Sequence, residues 1–233
     1  MNTSRGIGDL MESPLHGNQG DRDAVEELET PLGLTVAITR ESGARGSSIA
    51  RRVGKKLGWQ VYTQELLEFL TSNESARSHV LADVPKEAAA WADTQFHRLK
   101  MEKVISPGVE LGEMPRLILT LAARGGVVLV GRGAGYLLPR ETTLHVRIVA
   151  PLKDRVAYMA QWLRLRHEEA ADYVHDHDDK RAEFLLKSFN RRAGDLKDYD
   201  LALNSFHLGE EICAALILSA VHGKENLLWP VGE

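Results

Sequence analysis

The sequence predicts an α/β fold: a parallel sheet with helices on both faces. Three observations carry this. Short apolar runs alternate with segments of helical periodicity along the chain. One run, Val127–Val130, is continuously apolar, as in a strand covered on both faces. Two of the runs feed directly into glycine-rich loops, Arg40–Ser48 and Gly131–Gly135. In such folds ligands bind beyond the carboxyl ends of the strands, where both loops would lie.

The 233 residues suffice for one large domain or a domain with an insert. Hydrophobic residues make up 43% and charged residues 27%, with a net charge of -4. That balance gives no nucleic-acid footprint. The single cysteine, Cys213, excludes an intrachain disulfide and a cysteine-based zinc site, and fits a cytoplasmic setting. No apolar run approaches a membrane span, and the N-terminus has no apolar signal-peptide core. Oligomeric state is not legible.

Residues 1–32 carry seven acids against two bases and read as a flexible acidic tail, with a possible short helix around 24–28. The main domain runs over 33–222, and 223–233 reads as a loose C-terminal tail. Val36 and Ile38 mark the first strand. Ile49, Val53 and Leu57 recur every four residues and stripe a helix that Gly58 ends. Trp59–Tyr62 reads as a second strand, and Thr63 caps a helix over Gln64–Leu70. Residues 71–110 read as an inserted helical piece broken at Pro85 and Pro107, with Trp91, Phe96 and Leu99 packing together. Leu111–Arg124 is a helix ended by Gly125 and Gly126, and Val127–Val130 is the buried strand. In the strand Thr143–Ala150, Leu144, Val146 and Ile148 share a face, with His145 and Arg147 opposite. Pro151 sits at the first position of the next helix. Residues 164–192 suggest two short charged helices, and Tyr199–Asn204 a last strand. The final helix, Leu208–Val221, turns Ile212, Leu216 and Ala220 inward.

Three groups of residues carry candidate chemistry. In the first loop, Gly43, Ala44 and Gly46 allow close approach of backbone to a phosphate, and Ser47 and Ser48 precede the helix, whose N-terminus favours anions. Ser48 is a candidate Mg²⁺ ligand. No lysine stands where the pattern G-x-x-x-x-G-K-[ST] needs one, and Arg45 is the cation inside the loop. Taken alone, the stretch reads equally as a tight strand-to-helix turn. In the second loop, Arg132 directly follows the buried strand, as either an anion contact or a structural ion pair. In the third group, Asp178 and Arg181 share a helix face. From 153 to 192, nine basic residues nearly balance eight acidic ones, so this is no nucleic-acid patch. Either these are surface pairs, or a lid brings Arg181, Arg191 or Arg192 over a transferring phosphoryl group. The histidines at 167, 175 and 177 read as surface residues.

Six segments taken in order, TRESGARGSSIARRVGKKLG, VYTQELLE, VVLVGRGAGYLLP, LHVRIVAPLKDRV, DHDDKRAEFLLKSF and YDLALNS, resemble the cytidylate kinase-like family, a branch of the P-loop nucleoside monophosphate kinases. The resemblance implies a P-loop NTPase-like parallel sheet, a helical NMP-binding insert at about 71–110 and a lid at about 164–192. It implies ATP and Mg²⁺, nucleotide substrates, and transfer to CMP, dCMP or a similar small acceptor. Gly43, Ala44, Arg45, Gly46, Ser47 and Ser48 would hold the ATP phosphates, and Arg132, Asp178 and Arg181 the acceptor. Arg45, Arg181, Arg191 and Arg192 would act on the transferring group. The chain also departs from the family pattern. Gly46 falls at the lysine, Ser48 at the Mg²⁺-side threonine, Gly133 at the aspartate of Gly-Arg-Asp, and Thr63 where relatives often carry aspartate. Gly46 and Gly133 support an alternative, a degenerate kinase that binds nucleotide without turnover. A kinase of another small acceptor is a third reading.

Overall fold

The computed structural model describes residues 31–109 and 111–230. The expected acidic tail lies outside these residues, except for Pro31 and Leu32, as does its possible helix. The elements run β1 (Thr35–Arg40), α1 (Gly46–Leu57), β2 (Gln60–Tyr62), α2 (Gln64–Ser72), α3 (Glu74–Leu81), α4 (Lys86–Met101), α5 (Met114–Arg124), β3 (Val127–Val130), α6 (Ala134–Leu137), β4 (Thr143–Val149), α7 (Leu152–Leu163), α8 (His167–Phe189), β5 (Leu201–Asn204) and α9 (Ser205–Leu228).

The five strands form one parallel sheet in the order β2-β3-β1-β4-β5. Ile38 lies opposite Val130 on one side and Val146 on the other. Strand alternation splits the side chains between two cores. Val36, Ile38, Val128, Val130, Leu144, Val146 and Ile148 meet Ile49 and Val53 of α1 and Ile217 and Val221 of α9. Ala37, Val127 and Leu129 meet Leu67, Leu70, Trp91, Phe96 and Leu117 from α2, α4 and α5. Because helices cover both faces, β3 is buried at every position, as its sequence predicts. Trp91 and Phe96 belong to the same core as the sheet, and Leu99 packs against it. The stretch 71–109 is therefore joined to the main body by apolar packing.

Several local expectations hold. Thr63 caps α2 by accepting the Leu66 N–H, and Gly58 ends α1 in the left-handed conformation. Others need correction. Residues 164–192 contain one 23-residue helix, α8, rather than two short ones. Pro151 is the cap of α7 rather than its first residue. The final helix continues past Gly223 to Leu228, so most of the described part of the expected loose tail is helical, and the helix ends at Trp229. Its inward residues are Cys213, Ala214, Ile217 and Val221, while Ile212 and Leu216 are exposed. The backbone leaves helical geometry at Gly209 (φ 74°), which resets the phase that Leu208 suggested. The four-residue helix α6 directly follows the second glycine loop and had no periodicity to reveal it.

Strand β1 is the centre of the sheet. The chain departs from it to β2 and β3 on one side, and β4 and β5 lie on the other. The crevice beyond the end of β1 is the topological switch point, where such sheets bind ligands. Helices α7 and α8 pair over this end through a small core of their own, made of Val156, Met159, Ala170 and Val174. No described helix is long and apolar enough to cross a membrane.

Candidate functional site

The loop after β1 is built for close approach. Gly43 has φ 78° and Arg45 φ 60°, and a Cβ on Gly43 would lie 2.7 Å from the Arg155 carbonyl oxygen. Helix α1 then begins at Gly46 with no side-chain cap and no acid in its first turn. Its first amides and the positive end of its dipole are thus available to an anion. Gly46 is hemmed in: a Cβ there would lie 2.7 Å from Cβ of Arg40 and 2.8 Å from its Cγ. The Arg40 side chain crosses the position at which the phosphate-loop lysine would start. It is buried, donates from Nη2 to Gln64 Oε1 at 3.1 Å, and its guanidinium lies against Gly131 of the second loop.

Beside the loop runs a chain of ion pairs. Glu41 accepts from Arg147 Nη2 at 3.3 Å and from the Ala150 amide at 3.2 Å, and lies 3.4 Å from Arg155 Nε. Arg155 Nη1 donates to the Ser42 carbonyl at 3.0 Å and to Asp178 Oδ2 at 2.5 Å. Asp178 Oδ1 accepts the Ser42 amide at 2.7 Å and lies 3.5 Å from Arg181 Nη1. Asp178 is therefore no surface ion-pair partner. Both of its oxygens are committed, and they tie α8 to the first loop.

The second loop carries three successive positive φ values: Gly131 83°, Arg132 53° and Gly133 69°. They let the chain turn from β3 straight into α6. Arg132 pairs with Glu68, and its guanidinium stands 5.5 Å from the ring centre of Phe184. Burial, with Arg181 nearby, lowers its pKa from the ordinary arginine value, against the pull of Glu65. A side chain at Gly133 would run into the Phe189 ring. That ring, packed on Tyr136 and Phe184, fills the space that the family's aspartate would need.

Two cavities open at this end of the sheet. The larger, of about 540 Å³, lies among Arg40, Gly131, Arg132, Arg147, Asp178 and Arg181. The smaller, of about 260 Å³, lies along the first loop, from Gly43 and Arg45 through Gly46, Ser47 and Ser48, and is walled by Glu65, Tyr158, Trp162 and Tyr173. Arg40, Glu41 and Arg181 line both. Burial, together with Arg181 and Arg132, pushes the Arg40 pKa down to about 10, still charged at neutral pH. Burial raises the Glu65 carboxyl, but its own amide, the Thr63 hydroxyl, Arg40 and Arg181 outweigh that and leave it below the ordinary value.

Of the residues expected from sequence, the first loop, Arg132, Asp178 and Arg181 come together here. Arg45 lines the smaller cavity, but its guanidinium sits 4.7 Å over the Tyr158 ring and 3.9 Å from Glu210. Arg191 pairs with Asp198 at 3.5 Å and Arg192 is exposed, and neither lines either of these two cavities. Helix α8 runs on to Phe189, whose ring is anchored in the main core, and this leaves both arginines outside the crevice. His177 is half-buried, stacked on Tyr173, and lines the larger cavity rather than the open surface. Sequence reasoning missed Glu41, Arg147 and Arg155 as a network. In the sequence Arg40 is only the first residue of the loop stretch Arg40–Ser48, although it ends a buried strand just as Arg132 follows one.

A parallel sheet with an anion-ready loop after its central strand and arginines around the crevice defines an α/β protein of the P-loop kinase type. The pattern of the cytidylate kinase-like family matches residues 35–207, and the chain belongs to that family. A cytidylate kinase from Ignicoccus hospitalis is 22% identical over 176 residues, covering 76% of this chain and 92% of that protein. The crystal structure of an uncharacterized protein from Eubacterium ventriosum superposes with a TM-score of 0.57 at 15% identity, over 81% of this chain and 98% of that one. A shikimate kinase from Acinetobacter baumannii, solved with shikimate, aligns over 83% of this chain and 96% of its own at 11% identity, with a TM-score of 0.45.

Proposed function

We propose that the protein is an ATP-dependent phosphotransferase acting on CMP, dCMP or a similar small phosphorylated acceptor in the cytoplasm. One observation carries the reading: two glycine loops and helix α8 converge at the switch point, putting Arg40, Arg132, Arg147 and Arg181 around one cavity that joins a phosphate-loop cavity. Family membership supports the same chemistry. In this reading the amides of Gly43–Ser48 and the N-terminus of α1 hold the donor phosphates in the smaller cavity, with Arg45 at its rim. The larger cavity takes the acceptor, whose phosphate meets Arg132 and Arg181. Asp178 positions the first loop through the Ser42 amide. Helices α3 and α4 form the acceptor-side insert, and the α7–α8 pair forms the lid.

Ser48 and Glu65 face the smaller cavity together. One hydroxyl and one carboxylate suit Mg²⁺, which takes most of its ligands from phosphate and water. When bound it would neutralise triphosphate charge. Chemistry here is positioning and charge neutralisation. An acceptor phosphate oxygen bonds to the γ-phosphorus, the bond from that phosphorus to the bridging oxygen breaks, and its electron pair stays on the β-phosphate of ADP. No proton has to move.

The test is an ADP-release assay over a panel of nucleoside monophosphates. Turnover is expected with CMP or dCMP, while turnover only with another hydroxyl or phosphate acceptor moves the reading to that substrate. No turnover above background with any acceptor overturns it. The second reading, a nucleotide-binding module without turnover, rests on Gly46 and Gly133, which stand where the family pattern has lysine and aspartate. It predicts a thermal shift with nucleotide and Mg²⁺ but no transfer.

A further inference from the structure

We propose that Arg40, reaching over Gly46 from the end of β1, supplies the cation missing at the lysine position of the first loop and contacts the transferred phosphoryl group. The assignment deepens the phosphotransferase reading and rests on it. Three observations support it.

The first is steric. Gly46 occupies the lysine position, and the Arg40 stem lies so close that a Cβ there would sit at 2.7 Å from it. Glycine at 46 and arginine at 40 are thus one device: the loop residue has no side chain because a strand residue fills its space. Arg45 is placed differently, over Tyr158 and near Glu210, with 41% of its side chain exposed.

The second is electrostatic. Arg132 pairs with Glu68, Arg147 and Arg155 with Glu41, and Arg181 with Asp178. Arg40 is only 8% exposed, yet it makes no ion pair among the described residues; its partner is the neutral Gln64. Glu65 acts on it only at longer range, and a buried guanidinium with no directly paired carboxylate is costly. Arg132 and Arg181 raise that cost, and an entering polyphosphate relieves all three.

The third is position. Arg40 lines both cavities, as Arg181 and Glu41 do, which puts its guanidinium within reach of a group passing from donor to acceptor. As the γ-phosphorus leaves the bridging oxygen, charge spreads over the γ-oxygens and onto the β-phosphate. A forked guanidinium there can donate to both.

The experiment starts from Arg40→Gln, which keeps the Cβ and Cγ packed on Gly46 and removes the charge. Its thermal midpoint should not fall below that of the parent. We expect kcat to fall by at least about 100-fold while the acceptor KM changes far less. Arg40→Lys should recover part of the loss. Arg40→Gly combined with Gly46→Lys, which returns the cation to the loop, should recover at least about 10-fold over Arg40→Gln. Turnover within about threefold of the parent for Arg40→Gln, or a loss no larger than that of Arg45→Ala, overturns the assignment. If the parent itself transfers to no acceptor, the phosphotransferase reading fails separately, and calorimetry with inorganic tripolyphosphate decides the role of Arg40. Binding weakened at least about 30-fold in Arg40→Gln supports it. Equal binding by both proteins, or none by the parent, overturns it.

Discussion

Gly133 shows how a single position is governed by its neighbours. Its φ of 69° favours glycine, and any side chain there meets Phe189. Gly133→Asp restores the residue that relatives carry, yet it is expected to cost about 2–3 kcal/mol, from backbone strain and overpacking. Urea unfolding measures this, and an unchanged midpoint would refute it. Adding Phe189→Ala should recover less than its own truncation costs, since the strained φ stays. His145 is the other residue with a readable consequence. Its Nδ1 lies 2.8 Å from the Asp198 carbonyl and must therefore donate; Nε2, 3.1 Å from the Thr39 hydroxyl, must accept. Burial is the main cause that drives its pKa from 6.5 to about 4, over the opposing pull of Asp198 and Asp200. The unfolded chain binds this proton more readily, so stability is full above about pH 6.5 and is lost as pH falls toward 4. The loss approaches about 3 kcal/mol. Denaturant titrations between pH 7 and 4.5 should show it, and His145→Gln, which cannot titrate, should show a shallower slope across that window.

Helix α8 explains why two short helices were expected. Ala170, Val174, Asp178, Arg181, Leu185 and Phe189 recur at spacings of three and four and form one stripe along the helix. Its ends are apolar and pack against α7 and the main core, but its middle is an ion pair. Read as a pattern, the apolar stripe stops and restarts, because Asp178 and Arg181 face the crevice rather than a hydrophobic layer. Asp178→Ala should therefore unlatch the helix centre. It leaves Arg155 buried beside Glu41 alone and frees the Ser42 amide, at an expected cost of about 2–3 kcal/mol, below the full buried-pair value because Asp178 is half-exposed. Asp178→Asn, which still accepts from Ser42, should cost less. Amide exchange along α8 would report both, and equal protection in the two variants would contradict the latch.

In the proposed reading, the two cavities and the buried cations couple the stability of the domain to polyanion binding. Arg40, Arg132 and Arg181 repel one another across the crevice, Glu65, Glu68 and Asp178 offset part of that repulsion, and a bound polyphosphate is expected to relieve the rest. ATP with Mg²⁺ at about 100 times its dissociation constant should add about 2.7 kcal/mol and raise the melting temperature by roughly 5–10 °C. The rise should shrink as salt increases, because screening weakens the same repulsion. A melting temperature that does not move with ATP concentration would contradict this.

What was legible in the sequence was local. Val127–Val130 announced a strand buried on both faces, Gly43–Ser48 and Gly131–Gly133 announced loops at its edge, and the ordered segments from Thr39 to Ser205 announced the family. These depend on periodicity and turn chemistry within a few residues, which a sequence carries directly. The tertiary structure decided how the charges pair. Ser42 meets Asp178 across 136 positions of chain, and Arg147 meets Glu41 across 106. Arg45 was the cation in the loop by sequence; by structure it lies over Tyr158 while Arg40 crosses Gly46. Charge acts through space and depends on burial, and neither quantity exists until the strands and helices have packed.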